Sequence, residues 1–212
     1  MPFLRTIENQ FGTIGIWHIA ESSDELSAMI DLGAGEAMEY RNIGHERRKR
    51  EFLITRLLIR MLMKTPVALG YKADGRPCLS DSGYRISIAH SSAYAVIFLS
   101  AHHVGIDVEG TGRPIGQIAR KFMSEREFED ISGFSDAELG MVINWCAKEA
   151  VFKCTEKSGI DFKTQIRVHP YRALDGFEFG AELFADGETE KFRLQFLEIG
   201  NNVLVWCVFE QE

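Results

Sequence analysis

One stretch constrains this chain more than any other: Trp145-Cys146-Ala147-Lys148-Glu149-Ala150-Val151-Phe152-Lys153. The segment around it, roughly Ser135 to Lys157, has the marks of a helix. Ser135 with Glu138 three residues on forms a capping-box pattern, and Ser158-Gly159 supplies a stop. Residues spaced by four share a helix face, so Trp145, Glu149 and Lys153 fall in one row, with Lys148 beside them. Leu139, Val142, Ile143, Cys146 and Ala150 offer a second face to a core. An aromatic ring, a carboxylate and two lysines on one side can wall a binding site. They can equally be a surface ion pair beside a half-buried Trp, and the helix alone leaves both readings open.

The rest of the composition narrows the class of protein. A chain of 212 residues can bury a sizeable core, as one large domain or two small ones. No apolar run approaches the roughly 20 residues of a membrane span, and Met1-Pro2-Phe3-Leu4-Arg5 lacks a signal-peptide pattern. Cys78, Cys146, Cys154 and Cys207 are scattered without CxxC spacing, so neither a zinc site nor a disulfide framework is expected. The expected location is the cytoplasm. The formal net charge of −7 argues against a nucleic-acid partner, which would need a basic excess. That charge is uneven: through His103 there are 12 Lys and Arg against 11 Asp and Glu, and beyond it 12 against 20.

Along the chain, Thr13 to Ile19 reads as a strand, and Ser22 with Glu25 as a capped helix start, after which Gly33 and Gly35 break the pattern. A strong helix is predicted from about His45 to Lys64, where Phe52, Leu53, Leu57, Leu58, Met61 and Leu62 recur at helical spacing. It carries Arg47-Arg48-Lys49-Arg50 in its first turns, with Arg56 and Arg60 further along. Cations at a helix N-terminus oppose the macrodipole, and a nearby anion would offset that cost. Asp74-Gly75-Arg76-Pro77 is turn chemistry, and Arg85 to Ala89 and Tyr94 to Leu99 are short apolar runs flanking His90-Ser91-Ser92.

Val104 to Gly110 is the second informative stretch. On a strand, Ile106 and Val108 point one way, Asp107 and Glu109 the other. Two carboxylates on one face repel unless they are exposed or hold a cation, and oxygen ligands at this spacing suit Mg²⁺. A solvent-facing strand is the alternative. Further on, a helical stretch is predicted over about Gln117 to Ile131. Strands follow around Gln165–Val168, Phe177–Leu183, Lys191–Leu197 and Val203–Phe209, forming an antiparallel meander on a helix. Each half of the chain thus has one long helix followed by strands. The expected fold class is α+β, two similar halves of antiparallel sheet packed on a long helix, divided as residues 1–103 and 104–212.

Taken together, Gly105-Ile106-Asp107-Val108-Glu109 and, about forty residues on, Trp145-x-x-Lys148-Glu149-x-x-x-Lys153 resemble the signature of the 4'-phosphopantetheinyl transferases. Arg76-Pro77 after a Gly, Ile88-Ala89-His90-Ser91, Phe122-Met123-Ser124 leading to Glu127, and the arginine-bearing helix from Arg47 resemble that family's other elements in order. The length resembles its larger, pseudo-dimeric, surfactin-synthetase type, which implies a monomer.

The resemblance implies transfer of the 4'-phosphopantetheine arm of coenzyme A to a serine of an apo acyl or peptidyl carrier protein, releasing 3',5'-ADP. It implies Mg²⁺ on Asp107, Glu109 and Glu149. Phosphates and the rest of coenzyme A would be held by Arg47, Arg76, His90, Lys148, Lys153 and Trp145. Glu149, Lys153 and Glu127 would be catalytic, with Glu149, Glu127 or a metal-held water as alternative bases. Arg113, Arg120, Lys121 and Arg126 cluster as a candidate carrier-docking patch. The sequence departs from the family at Ala89, where a Ser is usual, and at Arg76, where a Lys is usual. Alternatives are another Mg²⁺-dependent phosphoryl-transfer enzyme, or a non-catalytic coenzyme A-binding or carrier-docking module.

Overall fold

In the computed structural model, which describes residues 3–172 and 178–210, two antiparallel sheets lie between two long helices. The chain runs β1 (Phe3–Asn9), β2 (Gly12–His18), α1 (Ser23–Ser27), α2 (Ala34–Arg41) and α3 (Glu46–Leu62). It continues with β3 (Leu69–Tyr71), β4 (Pro77–Leu79), β5 (Arg85–His90), β6 (Tyr94–Ser100) and β7 (Val104–Gly110). Then come α4 (Ala119–Phe122), α5 (Glu125–Ile131), α6 (Ala137–Cys154), β8 (Ile166–Val168), β9 (Glu178–Ala185), β10 (Glu188–Ile199) and β11 (Asn202–Phe209). One sheet has the order β1-β2-β6-β5, the other β7-β11-β10-β9-β8, and β3 with β4 forms a small hairpin. The architecture is α+β. The two sheets differ in strand number and order.

Period-two alternation explains the layering. In β6, Val96 and Phe98 join Ile14 and Ile16 of β2 against Ile106 and Val108 of β7 and Leu204 and Trp206 of β11. The alternate residues Ala95, Ile97 and Leu99 turn the other way, onto Leu53, Ile54, Leu57 and Leu58 of α3. On the second sheet, Val203, Val205 and Cys207 face Val142, Ile143, Cys146 and Ala150 of α6. Each fully buried Leu or Val in these layers contributes about 1.5–3 kcal/mol. The sheets also meet edge to edge, where the Ile106 amide donates to Ser87 Oγ of β5 at 3.0 Å.

The antiparallel meander of β9, β10 and β11 is present, with Phe192 paired to Phe209 and Ala181. Phe177, the expected start of its first strand, lies outside the described residues. Several expectations need correction. Asp136, not Ser135, caps α6: its Oδ1 accepts the Leu139 amide at 3.0 Å, and the helix ends at Cys154 rather than Lys157. The stretch from Gln117 to Ile131 is not one helix. Ser124 and Glu127 form a capping box that starts α5 afresh, with Ser124 Oγ accepting from the Glu127 amide and Glu127 accepting from the Ser124 amide. Gly33 and Gly35 do not end regular structure, because α2 begins at Ala34. Met61 is 51% exposed rather than part of the core face.

Arg56 is the reverse case: it is 3% exposed, its guanidinium donates to Glu36 and Glu39 of α2 at 3.0 Å each, and it stacks on Phe52. Arg60 reaches Glu36 as well, at 2.7 Å. These two cations of α3 therefore dock α2.

Candidate active site between β7 and α6

The site begins with a close approach. A Cβ on Gly105 would collide with the Ala150 carbonyl oxygen, so only glycine lets α6 lie against β7 here. With the helix seated, the alternation of β7 turns Asp107 and Glu109 to the α6 face, where they share space with one side of the helix. Lys153 reaches down from α6: its Nζ donates to Asp107 Oδ1 at 2.7 Å and to the Ile106 carbonyl at 3.1 Å. Asp107 is 7% exposed, and its second oxygen, Oδ2, is buried with no hydrogen-bond partner.

Glu109 is half-buried and pairs with Arg113, and Trp145 helps to lower its carboxyl pKa. Trp145 is fixed by edge contacts with Phe122 and by Phe162, at centroid distances of 5.0 and 5.9 Å.

The electrostatics follow from crowding. Burial raises the carboxyl pKa of Glu149, and the Asp107 charge adds to it while Lys153 opposes it. Glu109 is raised by the same pair of causes, burial first and Asp107 second. For Lys153, burial acts against the ammonium, but Asp107 and Glu149 outweigh it and the pKa is raised. The predicted row Trp145, Glu149, Lys153 thus faces β7. An orphaned carboxylate oxygen and two carboxyls pushed up by burial and then by a third are the chemistry of hard donors short of a cation. The residues fit a divalent metal in kind. Among the described residues, no group of three such side chains is drawn together as ligands, and Lys153 lies against Asp107.

Lys148 does not join this face. It stands about 100° around the helix from Glu149, with its side chain wholly buried. Its three donors are filled by Glu127 at 2.9 Å, the Phe162 carbonyl at 2.8 Å and the Ile166 carbonyl at 2.7 Å. Burial lowers its pKa, and Glu127 partly offsets that. Glu127 is 2% exposed and also accepts the Ser124 and Val168 amides. Lys148 was expected as a phosphate ligand and Glu127 as a base; here the hydrogen bonds of both are made inside the protein, and the pair ties α5 and β8 to α6.

The upstream residues are more dispersed. His90, at the end of β5, is half-buried and lies 3.0 Å from Thr55 Oγ1 of α3. Thr55 donates its hydroxyl proton to the Glu51 carbonyl, so it accepts from His90 Nε2–H. Burial lowers the imidazole pKa to about 4, and Lys153, Arg47 and Arg48 add to the lowering. The Glu51 charge opposes that lowering. Arg47 itself is exposed and bound to Glu51 at 2.7 Å. Arg76 follows the β3–β4 turn, where Gly75 takes a φ of +83°, and donates to the carbonyls of Thr155 and Lys157 just past α6. It caps the helix in this conformation. A cleft of about 530 Å³ opens beside it, lined among others by Arg76, Arg85, Phe152 and Lys153.

Sequence reasoning named Arg113 only as a docking candidate, but it partners Glu109. Its position four residues on from Glu109 was the available signal. Thr55, which fixes the His90 tautomer, carried none.

Residues 103–196 match the 4'-phosphopantetheinyl transferase superfamily. The match spans Asp107, Glu109, Glu127, Trp145, Lys148, Glu149 and Lys153, whereas Arg47, Arg76 and His90 lie outside it. No curated protein matches the chain. The superfamily supports phosphopantetheine transfer in general as the chemistry, with coenzyme A and carrier proteins as the implied partners. Among the described residues, no helix is long and apolar enough to cross a membrane.

Proposed function

We propose that this protein transfers the 4'-phosphopantetheine group of coenzyme A to a serine hydroxyl of an apo carrier protein and releases 3',5'-ADP. The observation that carries the reading is Lys153 bonded to the buried Asp107, whose Oδ2 is left unsatisfied and whose charge acts on Glu149. Coenzyme A would lie in the cleft beside Lys153, bridging residues of the first 103 positions and of the remainder, which we read as two halves of one pseudo-dimeric chain acting as a monomer.

Attack of the serine oxygen on the inner phosphorus of the pyrophosphate forms one P–O bond and breaks the bond to the leaving nucleotide phosphate. Lys153, kept charged by Asp107 and Glu149, neutralises charge on the phosphate oxygens. Glu149 takes the serine proton. A carboxyl whose pKa is raised by burial is a better base than an exposed one and is suited to this task.

Asp107, Glu109 and Glu149 would hold Mg²⁺, which when bound neutralises pyrophosphate charge. Arg113 holds Glu109 in place. His90 and Arg47 would meet a phosphate of coenzyme A. An arriving dianion would favour protonation of the imidazole, opposing the lowering that burial imposes. Arg76 would either join them or remain as the helix cap. The exposed Arg120, Lys121 and Arg126 would steer an acidic carrier.

Mass spectrometry tests the reading directly. An apo carrier protein incubated with this protein, coenzyme A and Mg²⁺ gains the phosphopantetheine mass. Absence of that gain across fatty-acid, polyketide and peptide-synthetase carriers would sink it.

A further inference from the structure

Charge in the cleft beside α6 runs against the charge of the whole protein. The lining includes Lys72, Arg76, Arg85 and Lys153 against Asp74 and Glu156, an excess of cations in a chain of formal net charge −7. At its rim, three of the lining side chains from separate segments converge on a single atom. Lys72 Nζ stands 3.7 Å, Arg85 Nη1 3.3 Å and His103 Nδ1 4.0 Å from Glu156 Oε1. Lys72 follows β3, Arg85 opens β5 and His103 precedes β7, while Glu156 follows α6. Nothing in the phosphopantetheine chemistry derived above uses these four residues.

A surface ion pair needs one partner. Three donors on one carboxylate leave most of their hydrogen-bonding capacity unused, since Lys offers three N–H groups and Arg five. Glu156 is itself 61% exposed and held by no other hydrogen bond to a cation than that of Arg85 among the described residues. Its release into solvent costs little, because exposed ion pairs in water contribute little to stability. A phosphate group carries more charge and three acceptor oxygens, which match the converging donors better than one carboxylate.

We propose that Lys72, Arg85 and His103 form a phosphate-binding subsite that Glu156 fills in the free protein and vacates when a phosphorylated ligand enters the cleft. The subsite stands on the geometry. That its ligand is coenzyme A rests on the transferase reading. Exposed Tyr71 and Tyr84 on the same rim give a ligand's aromatic ring a surface to stack on, which favours a nucleotide over a bare ion.

Calorimetric titration of the full chain tests this with coenzyme A, dephospho-coenzyme A and inorganic pyrophosphate as probes. Glu156→Gln removes the competing charge and is expected to tighten coenzyme A about tenfold, the scale of one charge-assisted contact. Arg85→Gln is expected to weaken it about tenfold, and Lys72→Gln to weaken it less. All three positions are exposed, and an unchanged melting curve for each variant separates lost binding from lost folding. If the Glu156→Gln gain appears for coenzyme A and not for dephospho-coenzyme A, the subsite takes the terminal phosphate. If it appears for both, it takes the pyrophosphate. Binding of every probe unchanged in Glu156→Gln and Arg85→Gln would overturn the subsite, even if transfer activity is intact. Pyrophosphate binding that responds to both variants, with no transfer to any carrier, would uphold the subsite and reject the transferase reading.

Discussion

Lys148 and Lys153 stand on the same helix, and each donates to a carboxylate, yet they do opposite things. Lys148 is wholly buried, its three protons are spent on Glu127 and two backbone carbonyls, and burial lowers its pKa. Lys153 is partly open to the cleft, bonds Asp107 and one carbonyl, and its pKa is raised by the carboxylates around it. The lesson lies in what remains unsatisfied. Around Lys148 every polar atom of the pair is matched. Beside Lys153, Asp107 Oδ2 has no partner and two glutamates are pushed toward protonation. A satisfied pair builds structure, and an unsatisfied one is poised for a ligand.

The largest expected effect breaks the comparison on the side of Lys148. Lys148→Met leaves the Glu127 charge buried without its partner and should cost about 3–5 kcal/mol. Urea denaturation measures it, and a loss below about 1 kcal/mol would mean the pair is not structural. The next effect is on the other face. Glu149→Gln should lower the transfer rate by about 100-fold or more while coenzyme A affinity stays within about threefold, since the amide keeps the shape and loses the base. Unchanged turnover would remove Glu149 from the chemistry.

The smallest effect sharpens the electrostatics through pH. The folded pKa values of Glu109 and Glu149 lie above their ordinary value of 4.5. The folded protein therefore binds more protons than the unfolded chain in the window above 4.5. That contribution to stability falls as pH rises through the folded values, and at neutral pH the ionised carboxylates cost stability. Without metal, Glu149→Gln should then raise the melting temperature by about 2–4 °C at neutral pH, and the gain should vanish in acid. A variant that melts lower than the parent at neutral pH would contradict this picture of repulsion.

Much of this was legible in the residues. The alternation in Val104 to Gly110 correctly placed Asp107 and Glu109 on one face, and four-residue spacing placed Trp145, Glu149 and Lys153 in one row. Both are consequences of fixed backbone periods, which hold regardless of neighbours. The capping box at Ser22 and Glu25 was equally local, and it is present in α1. The α2 helix escaped because its glycines flank it and its hold is tertiary, through Arg56 and Arg60 of α3. Lys148 was read with its neighbours because spacing gives the angle between side chains but not what each one meets.

By itself, then, the sequence determined the periods, the family likeness and the carboxylate-and-lysine row that faces the strand. Only the tertiary structure decided which lysine that row includes, because burial and the number of available acceptors depend on the packing of α5, β8 and the Phe162 loop around α6. The same holds for Glu156. Its meeting with Lys72, Arg85 and His103 joins segments more than fifty residues apart, and no local rule relates them.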